Sequence, residues 1–263
     1  MGGLRERGKL DACDASHRPG VKQGKESAPV LSPDVLAQRL STATAVVGGH
    51  REAVAIQLTA VATGALFFGT GPDLVRPMMA SFSSAPDTVA LDELWTVAAS
   101  SVPFLRQHLP HLTGWAGRPD AQAALVARAC FTELAQVDLI GSASAHQVGG
   151  ELLGPVYSSL RSPNSQRSSG AFYTPMHLAS LLAEMNPLGE GETFADPACG
   201  AGVLPVAAAI SMRRRGLDPA TVTWVLNDID PVAVALAGIN ALVHSLGPRI
   251  VLTCSDGLSR DVG

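Results

Sequence analysis

Apolar positions follow two different rhythms along this chain. From Asp34 to Phe68, Leu91 to His108, Asp120 to Leu139 and Gln147 to Leu160 they recur at three- and four-residue spacing, which predicts helices. Ser32-Pro-Asp34 supplies a plausible start for the first of them. Beyond Glu192 the apolar runs shorten and alternate with helical stretches. Thr193 to Ala195, Thr221 to Leu226 and Arg249 to Thr253 have strand character, and helices are expected at Val203 to Arg215 and Ala233 to Leu246. An order of strand, helix, strand, helix, strand predicts a parallel sheet. The fold class is therefore α/β. An α-helical domain over residues 33–150 precedes a partial Rossmann-like parallel sheet over 151–263, and a Gly-, Lys-, Arg-, Asp- and Ser-rich disordered leader over 1–32 comes first.

The chemistry concentrates at the expected C-terminal ends of the three strands. Phe194-Ala-Asp-Pro-Ala-Cys-Gly-Ala-Gly-Val-Leu204 places Asp196 at the end of the first, followed by Gly200 and Gly202, where a sharp turn into a helix needs backbone freedom. A dinucleotide fingerprint wants a third glycine at position 205, which is Pro205. A carboxylate at that point repels a pyrophosphate and suits an ammonium, such as that of S-adenosylmethionine. Asp228, at the end of the second strand, is placed to bridge ribose hydroxyls, with Ile229 as an apolar wall for an adenine ring. Asp256, after the third, can accept from the adenine amine.

Gly170-Ala-Phe-Tyr-Thr-Pro175, Asp196-Pro-Ala-Cys-Gly-Ala-Gly202, Asn227-Asp-Ile-Asp-Pro231 and Ser255-Asp-Gly-Leu258 together resemble the successive cofactor motifs of adenine-N6 DNA methyltransferases, above all the modification subunits of type I restriction systems. The resemblance spans roughly Glu151 to Leu258. It implies S-adenosyl-L-methionine as cofactor, with Phe172, Thr174 and Pro175 covering its methionine end and Asp196, Ala198 and Gly200 lining it. It gives the ribose to Asp228 and the adenine to Ile229 and Asp256. It also implies DNA as substrate, reached through a partner or specificity subunit.

The same family resemblance implies an Asn-Pro-Pro-aromatic element after a fourth strand, which would hold and stack a flipped adenine. The sequence to Gly263 contains none after Asp256, so no catalytic residue is assigned. The expectation is a chain inactive alone. Two alternatives stand: half of a split enzyme whose sheet a second chain completes, or a non-catalytic cofactor-binding module.

Composition adds limits. With 46% apolar residues in 263 the chain can bury a sizeable core, and a net charge of −4 confines any nucleic-acid contact to a local patch. Arg161, Asn164, Gln166 and Arg167 form a polar stretch, either a solvated linker or a phosphate contact. The four cysteines are scattered, and Pro110 separates His108 from His111, so neither a disulfide framework nor a metal site is expected. The apolar run from Ala53 to Phe68 is short and contains Gln57 and Thr59, which favours a buried helix over a membrane span. A cytoplasmic location follows as the expectation.

Overall fold

The computed structural model describes residues 28–66, 72–84, 88–118, 120–139, 141–142, 151–161 and 173–257. Most of the leader and Phe172 lie outside them, as do Asn164, Gln166 and Arg167 of the polar stretch.

Helix α1 (Pro33–Val46) begins where Ser32 accepts a hydrogen bond from the Val35 amide at 3.3 Å, with proline in the first helical turn. The apolar stretch from Asp34 to Phe68 is not one helix. It breaks at Gly48 and Gly49, whose φ angles of +99° and +66° turn the chain into α2 (Ala53–Leu66). Helix α2 is buried on nearly every side, and its polar side chains are satisfied internally. Gln57 Nε2 donates to Thr44 Oγ1 at 3.0 Å, and Thr59 Oγ1 donates to the Ala55 carbonyl while accepting from Trp115 Nε1.

Helix α3 (Pro72–Ser84) was not expected from periodicity; it carries Pro77 within its length and packs on α6 (Ala121–Ala135). Helix α4 (Thr88–Ser101) stops short of Pro103, which starts a 3₁₀ turn over Pro103–Leu105, so the reading to His108 was too long. The short α5 (Pro110–Thr113) precedes α6, whose start is capped by Asp120 accepting from the Gln122 and Ala123 amides. Helix α7 (Leu153–Leu160) packs on α1 and α2, and α8 (Met176–Met185) follows Pro175.

Three strands then form a parallel sheet in the order β1-β2-β3: β1 (Thr193–Asp196), β2 (Thr223–Asp228) and β3 (Ile250–Cys254). Helices α9 (Val203–Arg214) and α10 (Pro231–Val243) are the crossovers. Phe194 pairs with Trp224, and Trp224 with Ile250. β2 starts later than its β-branched sequence indicated because Asp218 caps a 3₁₀ turn at Pro219–Thr221. The cations at the end of α9 serve carbonyls. Arg213 donates to those of His244 and Ser245, and Arg215 to that of Leu188.

The helical part and the sheet share one hydrophobic core that runs from Leu36 to Leu252, with α2 packed on α10. His108 belongs to this junction: its Nε2 lies 3.2 Å from the Leu252 carbonyl oxygen, and burial lowers its pKa. Among the described residues no helix is long and apolar enough to cross a membrane.

Trp224 centres the sheet's core. It is fully buried, stacks at a tilt on Phe194 with ring centroids 5.3 Å apart, and donates from Nε1 to the carbonyls of Pro219 and Leu246. Trp224→Ala is expected to cost about 3–5 kcal/mol of folding free energy, read as a lowered midpoint in urea unfolding.

Candidate functional site

The site is built at the C-terminal rim of the three strands. β1 is only four residues long and ends in Asp196, the buried member of the strand. Asp196 Oδ1 accepts from the Ala198 amide at 3.1 Å, which starts the turn, and Cys199 N donates to the Asn227 carbonyl at the end of β2. Gly200 and Gly202 both have left-handed backbones, φ +54° and +87°. A side chain at Gly200 would meet open space, whereas one at Gly202 would press on the backbone of Ala237 in α10 at 3.3 Å. The two glycines thus do different work. The first leaves room above the turn, and the second lets α9 and α10 approach.

Asp228 ties the second strand end to the first. Its Oδ2 accepts from the Gly200 amide at 2.8 Å and its Oδ1 from the Asp230 amide at 2.9 Å. Asp230 is otherwise engaged: Oδ1 caps α10 through the Val232 and Ala233 amides, and Oδ2 receives Tyr157 Oη at 2.5 Å and Arg161 Nη1 at 3.1 Å. Arg161 therefore sits in an ion pair at the rim, over the Tyr157 ring. Ile229, between the two aspartates, is 65% exposed. Asp256 is exposed just past β3, next to Ser255, whose amide donates to the Asp228 carbonyl.

Electrostatically the rim is strained toward negative charge. Burial raises the Asp196 pKa, and the nearby Asp228 carboxylate raises it further, while the Ala198 amide works the other way. Asp196 Oδ2 is buried without a hydrogen-bond partner among the described residues. The Cys199 thiol is pushed up by burial and by both aspartates, which leaves it a protonated packing group.

Of the residues singled out in the sequence, Asp196 with Ala198 and Gly200 with Asp228 form two hydrogen-bonded pairs around one turn, and Ile229 and Asp256 stand on the same rim. Pro175 heads α8, its carbonyl accepting from the Leu178 and Ala179 amides, with Thr174 just before it. Three residues were not anticipated. Asn227 stitches the strand ends: Nδ2 donates to the Pro197 and Ser255 carbonyls, and Oδ1 receives Thr253 Oγ1 and Ser255 Oγ. Its place in Asn227-Asp-Ile-Asp-Pro231 was the available signal. Glu151 and Asn240 lie far from the glycine turn in sequence, one before it and one in the middle of an apolar helix, where nothing local marks them.

A parallel sheet with a glycine turn after its first strand and carboxylates at successive strand ends is an arrangement shared with nucleoside-cofactor-binding α/β proteins. Residues 149–262 match the family model described as N-6 DNA Methylase. Over 75 residues the chain is 35% identical to the methylase subunit of the type I restriction enzyme MjaIX of Methanocaldococcus jannaschii, a stretch covering 28% of this chain and 13% of that protein. A solved type I restriction-modification methyltransferase subunit from Streptococcus thermophilus aligns with a TM-score of 0.46 and 17% identity, over 89% of this chain and 60% of that one. The chain thus spans less than two thirds of either relative.

Two outcomes follow from this geometry. Gly200→Ala is expected to cost about 1 kcal/mol, for the left-handed backbone alone, and Gly202→Ala about 2–3 kcal/mol, because the new methyl also meets α10; chemical denaturation of the two variants orders them. Asp196 has a folded-state pKa above its unfolded one, so its contribution to stability is present below the ordinary aspartate range and lost as pH rises through the folded value. Asp196→Asn, whose amide oxygen can still receive Ala198 N–H, should therefore be the more stable protein near neutrality, with the difference closing toward about pH 3. Thermal midpoints across that range check it.

Proposed function

We propose that this rim binds S-adenosyl-L-methionine and that the chain carries the cofactor-binding part, residues 151–263, of an adenine-N6 DNA methyltransferase, with residues 33–150 as its helical domain. The carrying observation is the glycine turn held to Asp228 through the Gly200 amide, with Asp196 at the neighbouring parallel strand end, inside the segment that matches the methylase family model. The residues present fit the cofactor. An unmatched buried carboxylate oxygen at Asp196 suits a cationic ammonium, and the open space above Gly200 admits a ligand close to the main chain.

In this reading Asp196 orients the amino-acid end of the cofactor, with Ala198 and Gly200 lining it and Phe172, Thr174 and Pro175 covering it. Asp228 retains lone pairs for the ribose hydroxyls beyond the two amides it already serves. Ile229 offers its exposed side chain to the adenine face and Asp256 receives the adenine amine. The cofactor would supply an activated methyl group, and the chain's own task is to bind and orient it for an adenine in DNA. DNA and a specificity subunit as partners are the corresponding reading for a type I modification subunit.

A second reading is half of a split enzyme. Among the described residues β1 pairs with β2 alone, and in that reading a strand from a further polypeptide completes its other edge. Helix α8 meanwhile exposes Leu178, Leu181, Leu182 and Met185. Leu181→Lys would then weaken association with a completing chain and spare cofactor affinity.

The test of the main reading is titration calorimetry with S-adenosylhomocysteine. Asp228→Ala should weaken binding about ten- to hundredfold, the equivalent of ~1.5–3 kcal/mol for lost hydrogen bonds to a carboxylate. Asp230→Ala should weaken it less, because its carboxylate is occupied by the α10 cap, Tyr157 and Arg161. Unchanged affinity in Asp228→Ala would remove the assignment.

A further inference from the structure

Glu151 is fully buried, yet it lies outside the strand rim. Its Oε1 receives the Gly154 amide at 2.7 Å and Asn240 Nδ2 at 2.9 Å, and its Oε2 receives Tyr173 Oη at 3.2 Å. Asn240 Nδ2 also donates to the Ala201 carbonyl, in the middle of the glycine turn, at 2.8 Å. One carboxylate thus joins three pieces that are distant in sequence: the first turn of α7, the segment that leads through Tyr173 into Thr174 and Pro175, and, by way of α10, the turn after β1. Packing repeats the connection. A side chain at Gly154 would stand 2.8 Å from the Tyr173 ring and 3.3 Å from Ala201 Cβ, so the absence of one lets α7, the Tyr173 segment and the glycine turn meet.

Burying a carboxylate is costly unless donors surround it. Burial raises the Glu151 pKa, and the donors of Gly154, Asn240 and Tyr173 oppose that shift. A core position that needed only volume would be filled by leucine at less cost. What Glu151 supplies instead is direction, because each oxygen fixes a donor from a different element. We propose that Glu151, with Asn240 and Tyr173, is a positioning network that sets the Thr174–Pro175 segment against the glycine turn and thereby determines the affinity of the cofactor site.

This inference rests on the reading of the rim as the S-adenosylmethionine site. The experiment is calorimetry of the full chain with S-adenosylhomocysteine, at a temperature where every variant is folded by circular dichroism, alongside thermal midpoints. Tyr173→Phe keeps the ring and removes only the hydroxyl, and it should weaken binding about tenfold, the loss expected for one buried hydrogen bond. Glu151→Gln is the conservative repair. Its amide oxygen can face Gly154 and Asn240 while its NH₂ donates to Tyr173 Oη, and affinity should stay within about threefold of the unaltered chain. A network that merely stabilises the fold would move the midpoints and leave the affinity of folded protein alone. Wild-type affinity in Tyr173→Phe therefore overturns the proposal, whatever its midpoint. A failure of the unaltered chain to bind S-adenosylhomocysteine would be the distinct result that removes the cofactor reading, and this inference with it.

Discussion

Parallel strands that end together at the edge of an apolar core leave their last carbonyls and amides to be satisfied by loops, and here two adjacent residues of β2 meet that demand. Asn227 uses both ends of its amide, donating to carbonyls after β1 and after β3 and accepting from two hydroxyls. Asp228 takes the Gly200 amide on one oxygen and the Asp230 amide on the other. With those contacts the turn after β1, the entry to α10 and the exit of β3 are held in one register. Among the described strands β2 is the natural place for such residues, since it borders both of the others.

The helical part supports that rim from behind. Helix α7 packs on α1 and α2 and is held by a carboxylate at each of its ends. Its first turn meets the Glu151 carboxylate, and its last turn sends Tyr157 to Asp230, with Arg161 just beyond. Helix α2, buried on almost all sides, packs on α10, whose start is the Asp230 cap and whose middle carries Asn240. The N-terminal helices therefore share a core with the sheet and fix the two helices that place the polar groups.

Much of this was legible in the sequence because the strand ends combine local signals of different kinds. A short apolar run, a carboxylate and paired glycines each have a physical reason to be there, and the same is true of the proline that opens α10. The three strands and both crossovers lie where these signals put them, with boundaries moved by caps such as Asp218 and Asp230. The N-terminal region was less legible. Apolar spacing continues smoothly across Gly48 and Gly49, and the left-handed turn there is a backbone property that periodicity does not encode. Pro77 obscured α3 for the opposite reason, since a helix with tertiary support from α6 tolerates a residue that would end an isolated one. Glu151 and Asn240 were illegible because they stand 89 residues apart in sequence, and a buried polar residue declares its role only through contacts the fold creates.

The site's electrostatics complete the account. Burial raises the pKa of Asp196 and the nearby Asp228 carboxylate adds to that cost, while the second oxygen of Asp196 has no partner among the described residues. A core selected for stability alone would not keep that oxygen, because an unpaired buried acceptor costs about 1–3 kcal/mol. A cationic ligand reverses the sign: the same desolvation that penalises the free carboxylate strengthens its attraction to an ammonium, since the interaction then acts through a medium of low polarity. The glycine turn, held by Asp228 rather than by its own side chains, leaves open space above Gly200 for such a ligand to approach. The unfavourable features of the rim and the cationic ligand proposed for it thus have one physical origin, the burial of a carboxylate at the end of a very short strand.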